Sequence, residues 1–356
     1  MRCILLNPGP VSLSDSVRKA AIGNDICHRE PEFLELQDRL RKGLLDVYGC
    51  DGQDWAPVLL GGSGTTAVEA MLSSLLGNEA RLLVVANGDY AARIGKIAEI
   101  HGIASATMPH ERLEGIDYDR VELALTEGSF THVAAVQHET STGRLNDVRR
   151  LSGLCEDHGV SLLLDAVSAF GGEDVPLDSP ALSACAATAG QCLHGMPGLS
   201  FVLVRHSALA RCAEPPRSLS LHLPLWHGEQ TPFTPPVNAM LALEKALDEL
   251  QKQGGWQARR AYYRDLSGQV RKCLAEFGVE PLLGEADVSA VLGAYRVPDG
   301  FSFEQVHDGL KRWGFVVSAG VGNQADGVFR ISTMGDITHY DIERLLAAIE
   351  TVFKNR

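Results

Sequence analysis

The sequence predicts an α/β protein, with a large domain built on a mostly parallel sheet flanked by helices and a smaller C-terminal α+β domain. Three observations carry this expectation. Short apolar runs alternate with stretches of helical periodicity, glycine or polar clusters follow directly on those runs, and a proline- and histidine-rich segment at 221–236 breaks the rhythm. Strands covered on both faces read as continuous apolar runs, and the helices between them return the chain for parallel pairing.

Taken in order, the apolar run 58–60 precedes a glycine cluster, and 67–76 then carries the period of a helix. Residues 81–86 read as a strand and 90–101 as a helix. Buried-strand patterns follow at 131–137 and 160–164, the second preceded by a helix over 148–158, and another lies at 199–204. Crossovers in such a sheet are right-handed, and ligands gather at the carboxyl ends of its strands. Beyond the proline-rich segment, 237–252 and 262–277 are amphipathic helices. The tail alternates strands at 288–296 and 327–331 with helices at 303–313 and 340–353. The expected division is a large domain over 1–245, with an N-terminal substrate-loop segment, and a small one over 246–356.

A length of 356 residues allows one large core and a satellite. Hydrophobic content of 45% with 22% charged residues is ordinary for a folded chain, which excludes disorder. The net charge of -13 argues against nucleic acid and anionic membranes, since both demand a basic face. The opening Met1-Arg2-Cys3-Ile4-Leu5-Leu6 is too short for a signal-peptide core, and no later run reaches membrane-spanning length. A cytoplasmic location follows as the expectation. Eight cysteines without CxxC spacing read as free thiols, so neither a metal site nor a disulfide framework is expected.

Four clusters fall just after apolar runs. Gly61-Gly62-Ser63-Gly64-Thr65-Thr66 stands directly before a helix, where unpaired N–H groups suit an anion; a capped flexible turn is the plain alternative. Asp165 ends Leu162-Leu163-Leu164, a costly place for a carboxylate unless it is paired; capping a turn is its ordinary role. Tyr90 follows Asn87-Gly88-Asp89 and on its own reads as core packing. Gln137-His138-Glu139-Thr140-Ser141-Thr142-Gly143 sets polar groups at another strand end, with His138 read as a satisfied, partly buried histidine.

Together these clusters resemble the fold-type I pyridoxal-phosphate enzymes of the class V aminotransferase group. The branch most similar moves an amino group from 2-aminoethylphosphonate to pyruvate. The similar segments are collinear over nearly the whole chain: Asn7-Pro8-Gly9-Pro10, Asp25 to Phe33, Gly62 to Ala70, Asn87 to Arg93, Glu139 to Gly143, Asp165 to Gly172, Gly195-Met196-Pro197-Gly198, Phe233-Thr234-Pro235-Pro236 and Phe329-Arg330-Ile331. The resemblance implies pyridoxal 5′-phosphate as cofactor, with Ser63, Gly64 and Thr65 on its phosphate. It implies Tyr90 stacked on the ring, Val167 on the opposite face, Thr140 on the ring hydroxyl and Asp165 on the protonated ring nitrogen. It further implies a homodimer with shared sites, Thr234 reaching the neighbour's phosphate, and a substrate end formed by Pro8, Gly9 and Arg330. The substrates implied are a small amine and a 2-oxo acid.

One position departs from the pattern. Counting back from Gly-x-Pro-Gly in Thr188-Ala189-Gly190-Gln191-Cys192-Leu193-His194-Gly195-Met196-Pro197-Gly198 puts Gln191 where the family carries its cofactor-linking lysine, and no lysine lies between Lys96 and Lys245. An amide is neither a nucleophile nor a base, so the covalent anchor and the proton shuttle are both lost. The cofactor is then expected without a link to the protein, or as pyridoxamine phosphate, or as an external aldimine. Three accounts fit: a substitution in an otherwise unchanged enzyme, a natural homologue with different or slow chemistry, or a non-enzymatic binding scaffold. An alanine– or serine–glyoxylate aminotransferase is the neighbouring reading within the group. As a substitute base near the loop, His194 competes with a plain packing role.

Overall fold

The computed structural model describes residues 2–228, 231–322 and 327–354. The chain opens with β1 (Ile4–Leu5), α1 (Asp15–Ala21) and α2 (Pro31–Asp46). Alternation then sets in with β2 (Trp55–Gly61), α3 (Gly64–Leu75), β3 (Leu82–Ala86), α4 (Asp89–Ile100), β4 (Ser105–Pro109), α5 (Tyr118–Glu127) and β5 (His132–Val136). A small hairpin of β6 (His138–Glu139) and β7 (Arg144–Leu145) leads into α6 (Val148–Asp157), β8 (Ser161–Asp165), β9 (Leu182–Thr188) and β10 (Leu199–Arg205). Helices α7 (His206–Leu209), α8 (Leu223–His227), α9 (Val237–Lys252) and α10 (Gly255–Glu276) follow. The chain closes with β11 (Leu292–Arg296), α11 (Phe303–Arg312), β12 (Phe315–Val316), β13 (Ser318–Ala319), β14 (Val328–Ser332) and α12 (His339–Lys354).

The main sheet has seven strands in the order β2-β10-β9-β8-β5-β3-β4. Pairing is parallel from β9 to β4, while β10 runs antiparallel to both β2 and β9. Side chains alternate across it: Leu83, Val85, Leu162 and Leu164 join one core, and Leu82, Val84 and Leu163 the other. That period of two is why the strands are apolar throughout. The first core takes residues of α2, α5, α6 and α9, the second those of α3 and α4.

A third, smaller core gathers Leu266, Val270 and Leu274 of α10 with residues of β11, α11, β14 and α12. The expected boundary at 245 falls inside α9, whose Leu247 and Leu250 pack in the main core beside Met240 and Leu243. The N-terminal residues belong on the other side of that boundary. β1 pairs in parallel with β12, and Ile4 and Leu6 are fully buried in the smaller core. Helix α10 also begins seven residues before the expected 262, at Gly255. Glu173, on the loop after β8, ties that loop to α10 and to the segment before β11. Its buried carboxylate accepts hydrogen bonds from Arg260 Nε (2.6 Å), Ser289 Oγ (2.6 Å) and Ala290 N (2.9 Å).

All eight cysteines are free thiols. Among the described residues, no helix is long and apolar enough to cross a membrane, and no group of three or more His, Cys, Asp or Glu is placed to hold a metal.

Candidate functional site

A cleft of about 200 Å³ opens at the carboxyl ends of the parallel strands. It is lined by Ser63, Gly64, Thr65, Tyr90, Arg93, His138, Thr140, Asp165, Val167, Ser168 and Gln191, with Val68, Ile94 and Val136 as its apolar surface. Residues from five separate stretches of sequence thus converge where an open α/β sheet places its ligands.

One end of the cleft is set by the turn from β2 to α3. Gly62 has φ 141°, and a Cβ there would stand 2.4 Å from Thr66 Oγ1. Only glycine lets the backbone turn so tightly against the helix. Ser63 N donates to Thr66 Oγ1 at 3.1 Å, which leaves other N–H groups of the first turn for an anion. Arg93, a cleft residue that sequence reasoning left without a role, donates to Thr65 Oγ1 at 3.1 Å. Its guanidinium lies over the Tyr90 ring, 4.6 Å from the centroid. The signal available in the sequence was its spacing: Tyr90 and Arg93 are three apart at the start of α4 and share a face.

Asp165 ends β8 and accepts a hydrogen bond from Val167 N at 2.9 Å. Burial pushes its carboxyl up to about 7, against the opposing pull of that hydrogen bond. Val167 reaches across to α3, where an added Cβ on Gly64 would meet Val167 Cγ1 at 2.4 Å. Arg330, on β14 of the smaller core, donates from Nε to Ala319 O (2.8 Å) and from Nη1 to Thr140 O (3.1 Å). Its guanidinium therefore stands beside Thr140 although the two residues are 190 positions apart.

Glu139 was missed by sequence reasoning as anything but a motif letter. Its fully buried carboxylate accepts from the backbone N–H of Tyr90, Ala91 and Ser141 and from Ser141 Oγ. Burial raises this carboxyl and the hydrogen bonds oppose the rise, those of Ser141, Ala91 and Tyr90 among them. A negative group at the start of α4 is also where a helix favours it.

Gln191 follows β9 on the turn Ala189-Gly190 and lines the cleft; its Oε1 is buried without a hydrogen-bond partner. Gly9 rests against it, since a Cβ on Gly9 would stand 3.3 Å from Gln191 Cγ. That contact places the Pro8-Gly9 segment at this end of the site. Thr234 is exposed and does not line the cleft. His194 lies elsewhere, in a separate cavity of about 340 Å³ with Arg259, Tyr262 and Tyr263. There its Nε2 accepts from Gly335 N at 2.9 Å and touches Tyr263 Oη at 2.5 Å. Burial pushes it well below the usual histidine range, so it is a neutral packing residue. His138 departs from the expectation of a satisfied, partly buried ring. It is almost wholly buried, with Nδ1 3.3 Å from Ser168 O and Nε2 unpartnered where the ring lines the cleft.

The donor set fits a phosphorylated aromatic ring bearing a basic nitrogen. The cleft offers a helix N-terminus and an arginine at one end, a flat apolar wall between, and a buried carboxyl that lacks a positive partner. The unpartnered Gln191 Oε1 completes the test, as a polar atom left for a ligand to satisfy.

Comparison with known proteins agrees with this chemistry. Residues 22–345 match the family described as aminotransferase class-V. The 2-aminoethylphosphonate--pyruvate transaminase of Phocaeicola vulgatus is 34% identical over 361 residues, covering 99% of each chain. Its Vibrio cholerae namesake is 36% identical over 360 residues, covering 98% of this chain and 96% of its own. Among solved structures, pyridoxamine-pyruvate aminotransferase from Mesorhizobium loti superimposes with a TM-score of 0.91 at 25% identity, covering 100% of this chain and 93% of its own.

Proposed function

The chain belongs to the class-V aminotransferases, and from that premise we propose that it is the scaffold of a 2-aminoethylphosphonate:pyruvate aminotransferase in which Gln191 occupies the cofactor-linking position. The cofactor is pyridoxal 5′-phosphate, which when bound supplies an electron sink for the carbanion of an amine substrate. Ser63, Gly64 and Thr65 hold its phosphate with Arg93 behind them, and Tyr90 and Val167 enclose the ring. Thr140 takes the ring hydroxyl. Asp165 pairs with the ring nitrogen, and that positive partner holds the carboxyl ionised where burial alone would protonate it.

Arg330 receives the carboxylate or phosphonate of the substrate, exchanging a backbone carbonyl for an anion that matches its planar fork. Pro8 and Gly9 close the same end against Gln191. Thr234, exposed in one copy, serves the site of a second copy in a homodimer. Gln191 moves no proton and forms no bond to the cofactor, so the chain as it stands binds the group reversibly.

One observation carries the reading: the residue at the lysine position is an amide set in the same cleft as Thr65, Tyr90 and Asp165. The test is Gln191→Lys, assayed for alanine formation from 2-aminoethylphosphonate and pyruvate. Activity is expected in the variant and not in the parent, with borohydride-stable cofactor only in the variant. A variant that binds cofactor and transaminates neither substrate would overturn the assignment.

A further inference from the structure

We propose that the cleft selects the aminated form of its cofactor, pyridoxamine 5′-phosphate, and that Gln191 makes the selection; this rests on the cofactor reading given above. Gln191 Oε1 is buried and has no hydrogen-bond partner. Gly9 presses on the same side chain, its added Cβ falling 3.6 Å from Gln191 Nε2. Two residues before Gly9, Asn7 carries a second buried carbonyl oxygen, Oδ1, that is also unpartnered. A buried acceptor left without a donor is unfavourable, and an ammonium group brings three donors and a charge.

Charge points the same way. A lysine at 191 would set a cation in the cleft that the buried Asp165 also lines; glutamine deletes that charge, and no lysine between Lys96 and Lys245 replaces it. Of the arginines nearby, Arg93 is engaged with Thr65 and the Tyr90 ring, and Arg330 with two backbone carbonyls. A ligand that carries its own ammonium restores the balance, which an aldehyde or an alcohol does not. The aldehyde form also forgoes the covalent bond that a lysine would give it, whereas the amine form never makes one. The substitution therefore weakens one form far more than the other.

The experiment is equilibrium binding of three probes to the protein freed of cofactor: pyridoxamine 5′-phosphate, pyridoxal 5′-phosphate, and pyridoxine 5′-phosphate, which has a hydroxyl where the amine stands. Pyridoxamine 5′-phosphate is expected to bind about tenfold more tightly than pyridoxine 5′-phosphate, the scale of one charge-assisted hydrogen bond. Gln191→Met should erase that ratio, and Gln191→Glu, a gain that misfolding cannot mimic, should widen it. Equal binding of all three probes overturns the selectivity and leaves the cofactor reading standing. An unchanged ratio in Gln191→Met overturns the assignment to Gln191. Binding of none of the three overturns the cofactor reading itself, and the selectivity with it.

Discussion

Glu139 holds the backbone of Tyr90: its Oε2 accepts the Tyr90 N–H at 3.2 Å and the neighbouring Ala91 N–H at 3.1 Å. The approach is close enough that a Cβ on Gly88 would lie 2.3 Å from Glu139 Cδ. Strand-end hairpin and first helical turn are thereby one unit. Glu139→Ala strands these N–H groups and should cost about 2 kcal/mol or more in urea unfolding, with Glu139→Gln in between. A loss within error of zero would show that water replaces the carboxylate.

Asp165 gives the apoprotein a pH dependence of definite sign. Its carboxyl is raised from 3.8 to about 7 by burial. Across that window the unfolded chain has released a proton that the folded chain keeps, so stability falls as pH rises and levels off above it. Asp165→Asn removes this component. Variant and parent should match near the acid end of the window, and the variant should be the more stable one at pH 8. Parallel curves from urea titrations would refute the shift.

Gly64→Ala inserts a methyl at a point where Val167 Cγ1 is 2.4 Å away. Helix α3 or the Val167 wall must move, at a cost of roughly 1–3 kcal/mol. Because both flank the cleft, affinity for pyridoxal 5′-phosphate should fall along with the melting temperature. Ala at the half-buried Gly77, where nothing lies within 4 Å, is the matched control.

Arg330→Lys keeps the charge and loses the fork. In the Gln191→Lys background, KM for the anionic substrate should rise by about tenfold or more, while cofactor affinity stays unchanged. A parallel loss of cofactor affinity would mean that Arg330 acts through Thr140 and not on the substrate.

The sequence was most readable where apolar runs and periodicity coincide: α9 lies where its pattern puts it, β3 and β5 lie within their runs, and β8 ends one residue past its own. Strand β9 escaped because Leu182–Thr188 is built largely of alanine, serine and cysteine, with Thr188 its one β-branched residue. The reversed direction of β10 leaves no trace in one dimension. For the cleft, strand-end position and motif spacing brought forward Asp165, Ser63, Gly64, Thr65 and Tyr90. Arg93 and Glu139 went unassigned because their partners lie 28 and 48 or 49 residues away. The contact of Gly9 with Gln191 and the placement of His194 outside the cleft depend on loop paths that no local pattern encodes.

The bond set of Glu173 has a mechanical consequence. Eight residues after Asp165, it clamps its loop to α10 and to Ser289 and Ala290 through a half-buried ion pair and two further hydrogen bonds. Arg330 reaches from β14 to the other lobe through its hydrogen bond to Thr140 O, while its bond to Ala319 O stays within its own sheet. One connection is stiff and the other compliant. If Arg330 takes a substrate anion as proposed, the displacement falls on its bond to Thr140 and not on the Glu173 clamp.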